Sequence, residues 1–146
     1  MVAEALPLVL RHYPDARVHV AGPDILSVPA WRRNGYAHYL GKLMERLGVR
    51  DRFRWLGRLS AEQMCSQFRK AHIFVCPSMI ENESNSLGEA QMVGTPCIAA
   101  YAGGMMDSVS HGETGFLYRF EDAELLAMQV CRLFGDMDLC RHVSSR

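Results

Sequence analysis

The sequence predicts an α/β fold, a parallel sheet with helices on both faces, and three observations lead there. Residues 73–76 and 97–100 are short, continuous apolar runs, as central parallel strands covered on both sides require. Amphipathic stripes alternate with strand-like runs along the chain, and that order calls for right-handed crossovers between parallel strands. The 146 residues, 49% hydrophobic, suffice for one domain with a real core, and no repeat, linker or low-complexity stretch divides them.

Each element has its own signal. Val2, Ala5, Leu6, Val9 and Leu10 have helical spacing, but Pro7 falls inside it, so this helix is expected to start near Pro7 or to kink there. Pro14 and Asp15 turn the chain into a strand at 17–21, apolar at Val18 and Val20, which Gly22 and Pro23 end. Residues 24–34 read as loop. From Gly35 onward, Tyr36, Leu40, Leu43, Met44 and Leu47 mark an amphipathic helix that Gly48 stops. A strand at 52–57 carries Phe53, Trp55 and Leu56. Ser60 and Gln63 then make a capping box for a helix bearing Met64 and Phe68 and ending before Ala71. Between the two central strands lies a helix at 86–93, with Asn85 or Ser86 as N-cap. Residues 114–118 form a final edge strand. A helical stripe of Leu126, Val130, Leu133 and Phe134 follows at 124–134, and another helix begins near 138.

Composition removes several function classes. With 16 basic and 16 acidic residues the chain has no net charge with which to hold nucleic acid or an anionic membrane. The five cysteines, Cys65, Cys76, Cys97, Cys131 and Cys140, are scattered and lack a C-x-x-C pair, so neither a disulfide framework nor a zinc site is indicated, and a reducing cytoplasm fits. The longest uncharged stretch, 90–106, is broken by Gly94, Pro96, Gly103 and Gly104, which excludes a membrane span there, and no signal peptide is expected.

The candidate site lies between the central strands. Two carboxylates, Glu81 in the loop and Glu89 on the helix, bracket seven residues. The first amides of a helix lack intrahelical partners and carry the positive end of its dipole, so a phosphate fits at this helix tip, beyond the carboxyl end of a strand. Carboxylates repel phosphate, whereas they accept from the paired hydroxyls of sugars, and two of them suggest two sugars. Ser86 and Glu89 also read as S-x-x-E, a capping box, and Glu81 alone reads as a solvated loop acid.

The stretch ENESNSLGEAQMVGTPCIAAYAGG resembles the E-x7-E motif and following segment of retaining GT-B glycosyltransferases, in the large family 4 type, the glycosyl transferases group 1 domain. HYPDARVHVAG, RFRWLGRLSAEQMCSQFRKAHIFVCPS and HGETGFLYRFEDAELLAMQVCRLF match successive blocks of the same donor-binding domain. The resemblance implies a Rossmann-like sheet, the C-terminal half of a GT-B fold, with residues 1–146 as a partial, truncated nucleotide-sugar-binding domain. It implies that Glu89 holds the ribose and that Glu81, the catalytic candidate, lies against the donor sugar. Asn82, Glu83, Ser84, Asn85, Ser86 and Leu87 would meet sugar and diphosphate, Arg58 and Leu59 the nucleobase, and Gly22 would allow the nucleotide to approach.

Where this sequence departs from the family, the departures bear on the site. Asp107 stands where a Glu is usual after the Gly103–Gly104 pair, and Glu83 adds a negative charge beside the expected phosphate. The Arg and Lys pair that the family places after the first strand of this domain lies ahead of the segment matched here, so the polypeptide alone is expected to bind nucleotide diphosphate weakly and to transfer no sugar. No cofactor or metal is expected, the donor being a nucleotide diphosphate sugar. The acceptor, a saccharide or lipid-linked molecule in polysaccharide biosynthesis, would come through the missing N-terminal domain, with peripheral membrane association of the full-length protein. A GT-B nucleotide-sugar epimerase and a non-catalytic α/β binding module are the alternatives. His72 reads as a strand-edge residue and His111 as part of a turn. Asp136-Met137-Asp138 mimics a D-x-D metal signature but follows a helix, so Asp136 or Asp138 reads as an N-cap.

Overall fold

A computed structural model describes residues 1–79 and 84–145. Among these residues seven α-helices and five strands follow one another as α1 (Val2–Leu10), β1 (Val18–Ala21), α2 (Gly35–Arg46), β2 (Phe53–Gly57), α3 (Ala61–Lys70), β3 (Phe74–Cys76), α4 (Asn85–Val93), β4 (Cys97–Ala100), α5 (Met105–Ser108), β5 (Phe116–Tyr118), α6 (Ala123–Gly135) and α7 (Met137–Ser144). Among the described residues every ladder between these strands is parallel.

The strands divide between two sheets, β1–β2 and β3–β4–β5, where the sequence led us to expect one. Among the described residues only β4 is paired on both sides. β1 alternates half-buried Val18 and Val20 with exposed His19 and Ala21, so one of its faces meets solvent, while all four residues of β4 are buried. Helices cover both faces of the larger sheet. Phe74, opposite Cys97, meets Phe68 of α3 edge-on at 5.3 Å, whereas Phe116, opposite Ile98, lies 5.0 Å from the Arg132 guanidinium of α6. Cys97 and Ile98 are consecutive, so their side chains point to opposite faces, and α3 and α6 sit on opposite sides.

α1 joins the two halves. Its Ala5 and Val9 belong to the core around β3–β5, and its Ala3 and Leu6 to the core shared with α2 and β2. That double burial answers the question posed by Pro7, since the helix starts at Val2 and includes the proline. An internal proline costs about 3 kcal/mol, and four buried apolar side chains on one short helix more than offset it.

Two further element expectations hold and one does not. Ser60 and Gln63 form the capping box, and α3 ends at Lys70. Gly48 follows α2 with φ of 65°. On α2 the buried face is Ala37, Gly41, Leu43 and Met44, so Tyr36, expected inward, is exposed.

Candidate functional site

The carboxyl end of β3 and the start of α4 are pinned together. Buried Cys76 ends β3 with its Sγ 3.5 Å from the Oγ of Ser84, and Ser84 in turn accepts from the Leu87 N–H at 3.4 Å. Leu87 and Ala90 are wholly buried, which fixes the inner face of the helix. Asn85 and Ser86 in the first turn are exposed, and so is Glu89 in the second. The helix tip therefore opens to solvent beyond a parallel strand end, the place where open α/β sheets collect ligands.

Two corrections follow for the sequence reading. The N-cap is Ser84, because its backbone is extended and its oxygen takes the third-residue amide, while Asn85 is already helical. With Ser84 as cap the third helical residue is Leu87, so Ser86 and Glu89 do not form a capping box. Glu89 has no part in the helix start, and none of the ion pairs among the described residues involves it. Glu81, Asn82 and Glu83 lie outside the described residues.

A second group gathers at the end of the smaller sheet. The Gly22 N–H donates to the Gly57 carbonyl at 2.8 Å, and both glycines have positive φ, 138° and 72°. This bridge closes the ends of β1 and β2 and leads into exposed Arg58 and half-buried Leu59. No ion pair among the described residues engages Arg58. Ser60 is committed to its cap, accepting from the Gln63 N–H at 3.3 Å while the Ser60 N–H donates to Gln63 Oε1 at 2.9 Å. No hydrogen bond among the described residues links this group directly to the α4 tip.

The third contribution was legible in the sequence as the Gly103–Gly104 pair and Asp107, but not as a helix. Gly103 and Gly104 open α5, and Gln91 Nε2 of α4 donates to the Ser108 carbonyl at 2.9 Å, which ties the exposed Asp107 turn to the helix that carries Glu89. Four residues are too few for periodicity to reveal such a helix. Tyr101, directly after β4, is 60% exposed although its N–H donates to the Tyr118 carbonyl at 2.7 Å. Its only sequence signal is its position at the close of an apolar run.

Other candidates resolve as structural. His111 Nδ1 accepts from the Leu117 N–H at 3.0 Å and holds the turn before β5. Asp136 accepts from the Leu139 N–H at 2.8 Å as the N-cap of α7. A surface depression of about 500 Å³ is lined by Ala61, Glu62, Cys65, Ser66 and Arg69. All five belong to α3, so it is a shelf on one helix and encloses nothing. Burial, with a smaller contribution from Cys76, pushes the Cys97 thiol and the Tyr118 phenol each up to about 12, so both are neutral and unreactive near pH 7.

Residues 1–146 match the family model described as glycosyl transferases group 1. A D-inositol 3-phosphate glycosyltransferase of Streptomyces avermitilis is 33% identical over 136 residues, covering 93% of this chain and 29% of that protein. Among solved structures, Anabaena HepE in complex with UDP superimposes with a TM-score of 0.83 at 24% identity, covering 99% of this chain and 37% of the other. The C-terminal domain of a glycosyl transferase group 1 family protein, LpcC from Francisella tularensis, gives 0.77 at 23% identity, with 97% and 71% covered. The fold is thus an α/β arrangement of parallel sheets and helices like the C-terminal domains of GT-B glycosyltransferases, and the chain spans less than a third of the length of that curated Streptomyces relative.

Proposed function

The chain belongs to the glycosyl transferases group 1 family, and from that premise we propose that it is the nucleotide-sugar-binding part of a retaining glycosyltransferase. The whole protein would move a hexose-type sugar from a nucleotide diphosphate to a glycan or lipid-linked acceptor. The observation that carries this reading is the pairing of an open α4 tip with an exposed Glu89 that neither caps the helix nor joins an ion pair among the described residues. The amides of Asn85 and Ser86 would face the diphosphate, and Glu89 would accept from the ribose hydroxyls.

In the reaction proposed, the bond from the sugar's anomeric carbon to the diphosphate oxygen breaks, and the acceptor oxygen bonds to that carbon on the same face. The acceptor's proton passes to the departing diphosphate. What the protein must supply is positive potential at the leaving group. The α4 dipole provides part of it and exposed Arg58 lies at another strand end, with no metal called for in this proposal.

Calorimetric titration of the chain with UDP and GDP tests the reading. UDP, the ligand in the HepE complex, is the first probe. Binding is expected in the millimolar range, about 4 kcal/mol, and no heat with either nucleotide at millimolar concentrations would overturn the proposal.

A further inference from the structure

Tyr101 is 60% exposed, yet the backbone that carries it is held at several points. Its N–H donates to the Tyr118 carbonyl at 2.7 Å and so continues the β4–β5 ladder one residue past the strand. The Ala102 N–H donates to the Ala100 carbonyl at 2.8 Å, and Met105 of α5 is completely buried. At the far end of α5 the Gln91 side chain holds the Ser108 carbonyl, and the Ser108 hydroxyl donates to the Gly104 carbonyl at 3.3 Å. An outward-facing phenol is thus set on fixed backbone.

The pleat decides which face of the sheet it takes. Cys76 and Ala99 are partners in the β3–β4 ladder and share a face, the one on which Cys76 meets Ser84 at the cap of α4. Residues two apart on a strand share a face, so Tyr101 stands on the side that carries α4, just beyond the carboxyl end of the central strand. The ring and the α4 tip therefore occupy one face at one end of the sheet.

The helix indicates which part of a donor arrives there. Glu89 and Gln91 are two positions apart, about 200° around α4, so the side that Gln91 turns to α5 is nearly opposite the side of Glu89. With the diphosphate at the tip and the ribose at Glu89, the transferred sugar is left the α5 side, into which Tyr101 leads. A hexose ring presents a patch of C–H groups that fits an aromatic face, and the phenol adds a hydroxyl for the sugar's polar rim. We propose that Tyr101 is the platform for the donor's transferred hexose and a specificity-determining residue of the site. The inference rests on the nucleotide-sugar reading above and deepens it at one subsite.

Saturation-transfer NMR of the chain with UDP-glucose and with GDP-mannose tests it, because the method suits weak binding and reads each part of the donor separately. In the parent protein the hexose protons should take up saturation along with those of ribose and base. The ratio of hexose to ribose saturation should collapse in Tyr101→Ala and return in Tyr101→Phe, with the melting temperature unchanged because the side chain faces solvent. UDP alone should titrate alike in parent and Tyr101→Ala. Hexose protons that stay dark in the parent, an unchanged ratio in Tyr101→Ala, or UDP weakened by that change would each overturn this inference and leave the nucleotide site standing. No saturation of either donor by the parent would remove both.

Discussion

Glu89 on α4 and Ser84 at its N-cap make opposite predictions, which is what separates a ligand contact from a structural one. Glu89 is exposed and does not cap α4, so Glu89→Gln should leave stability within about 0.5 kcal/mol of the parent. If its carboxylate accepts from ribose, the same change removes a charged hydrogen bond of about 1.5–3 kcal/mol, and UDP affinity should fall tenfold or more by calorimetry. Ser84 is buried and holds both the Leu87 amide and the neighbourhood of Cys76. Ser84→Ala should cost about 1 kcal/mol of stability and lower the melting temperature by a few degrees. A Glu89→Gln protein that melts early yet binds UDP normally would make Glu89 a structural residue after all.

At the scale of elements, the sequence was legible where a local signal and the tertiary demand agree. The run of four apolar residues at Cys97–Ala100 became β4 without adjustment, and the Ser60–Gln63 box opened α3 as read. Misreadings came where packing overruled a local rule. Pro7 lies inside α1 because four neighbours are buried in two cores, and Tyr36 faces water because Ala37, Gly41 and Met44 take the inner face of α2. The cap of α4 moved to Ser84 because Ser84, Asn85 and Ser86 are all competent caps by residue type, and the extended backbone and the bond from the Leu87 amide fall to Ser84. Of the candidate site, the α4 tip and Glu89 were legible, whereas the link from Gln91 to the α5 turn depends on contacts across 17 positions that no spacing rule anticipates. The β4–β5 ladder has its own sensitive point. A Cβ on Gly115 would lie 2.8 Å from the Cys97 carbonyl oxygen and 3.2 Å from Val109 Cγ1. The oxygen belongs to the central strand and cannot retreat, so Gly115→Ala should push β5 outward and cost about 1–3 kcal/mol in urea unfolding.

For the whole molecule, stability is a joint property of two sheets that share α1, and the larger sheet carries a built-in response to alkali. Cys97 on β4 and Tyr118 on β5 are both completely buried, and the Tyr118 hydroxyl has no partner among the described residues. Burial is the main reason that both hold their protons, with Cys76 adding to it, and their ordinary values of 9.0 and 10.0 rise to about 12. The unfolded chain releases these protons from about pH 9 upward while the folded chain keeps them. Folding thus has its full contribution from these groups below pH 9 and loses it progressively as pH rises toward 12. Cys131 and Cys140, raised by burial, act in the same direction. Melting temperatures should therefore be flat from neutral pH to about 9 and then fall. Cys97→Ala removes one of the two groups that ionise with the largest penalty, so its melting temperature should fall less steeply over the same range. Parent and variant curves that descend in parallel would show that alkaline unfolding begins elsewhere than at the buried strands.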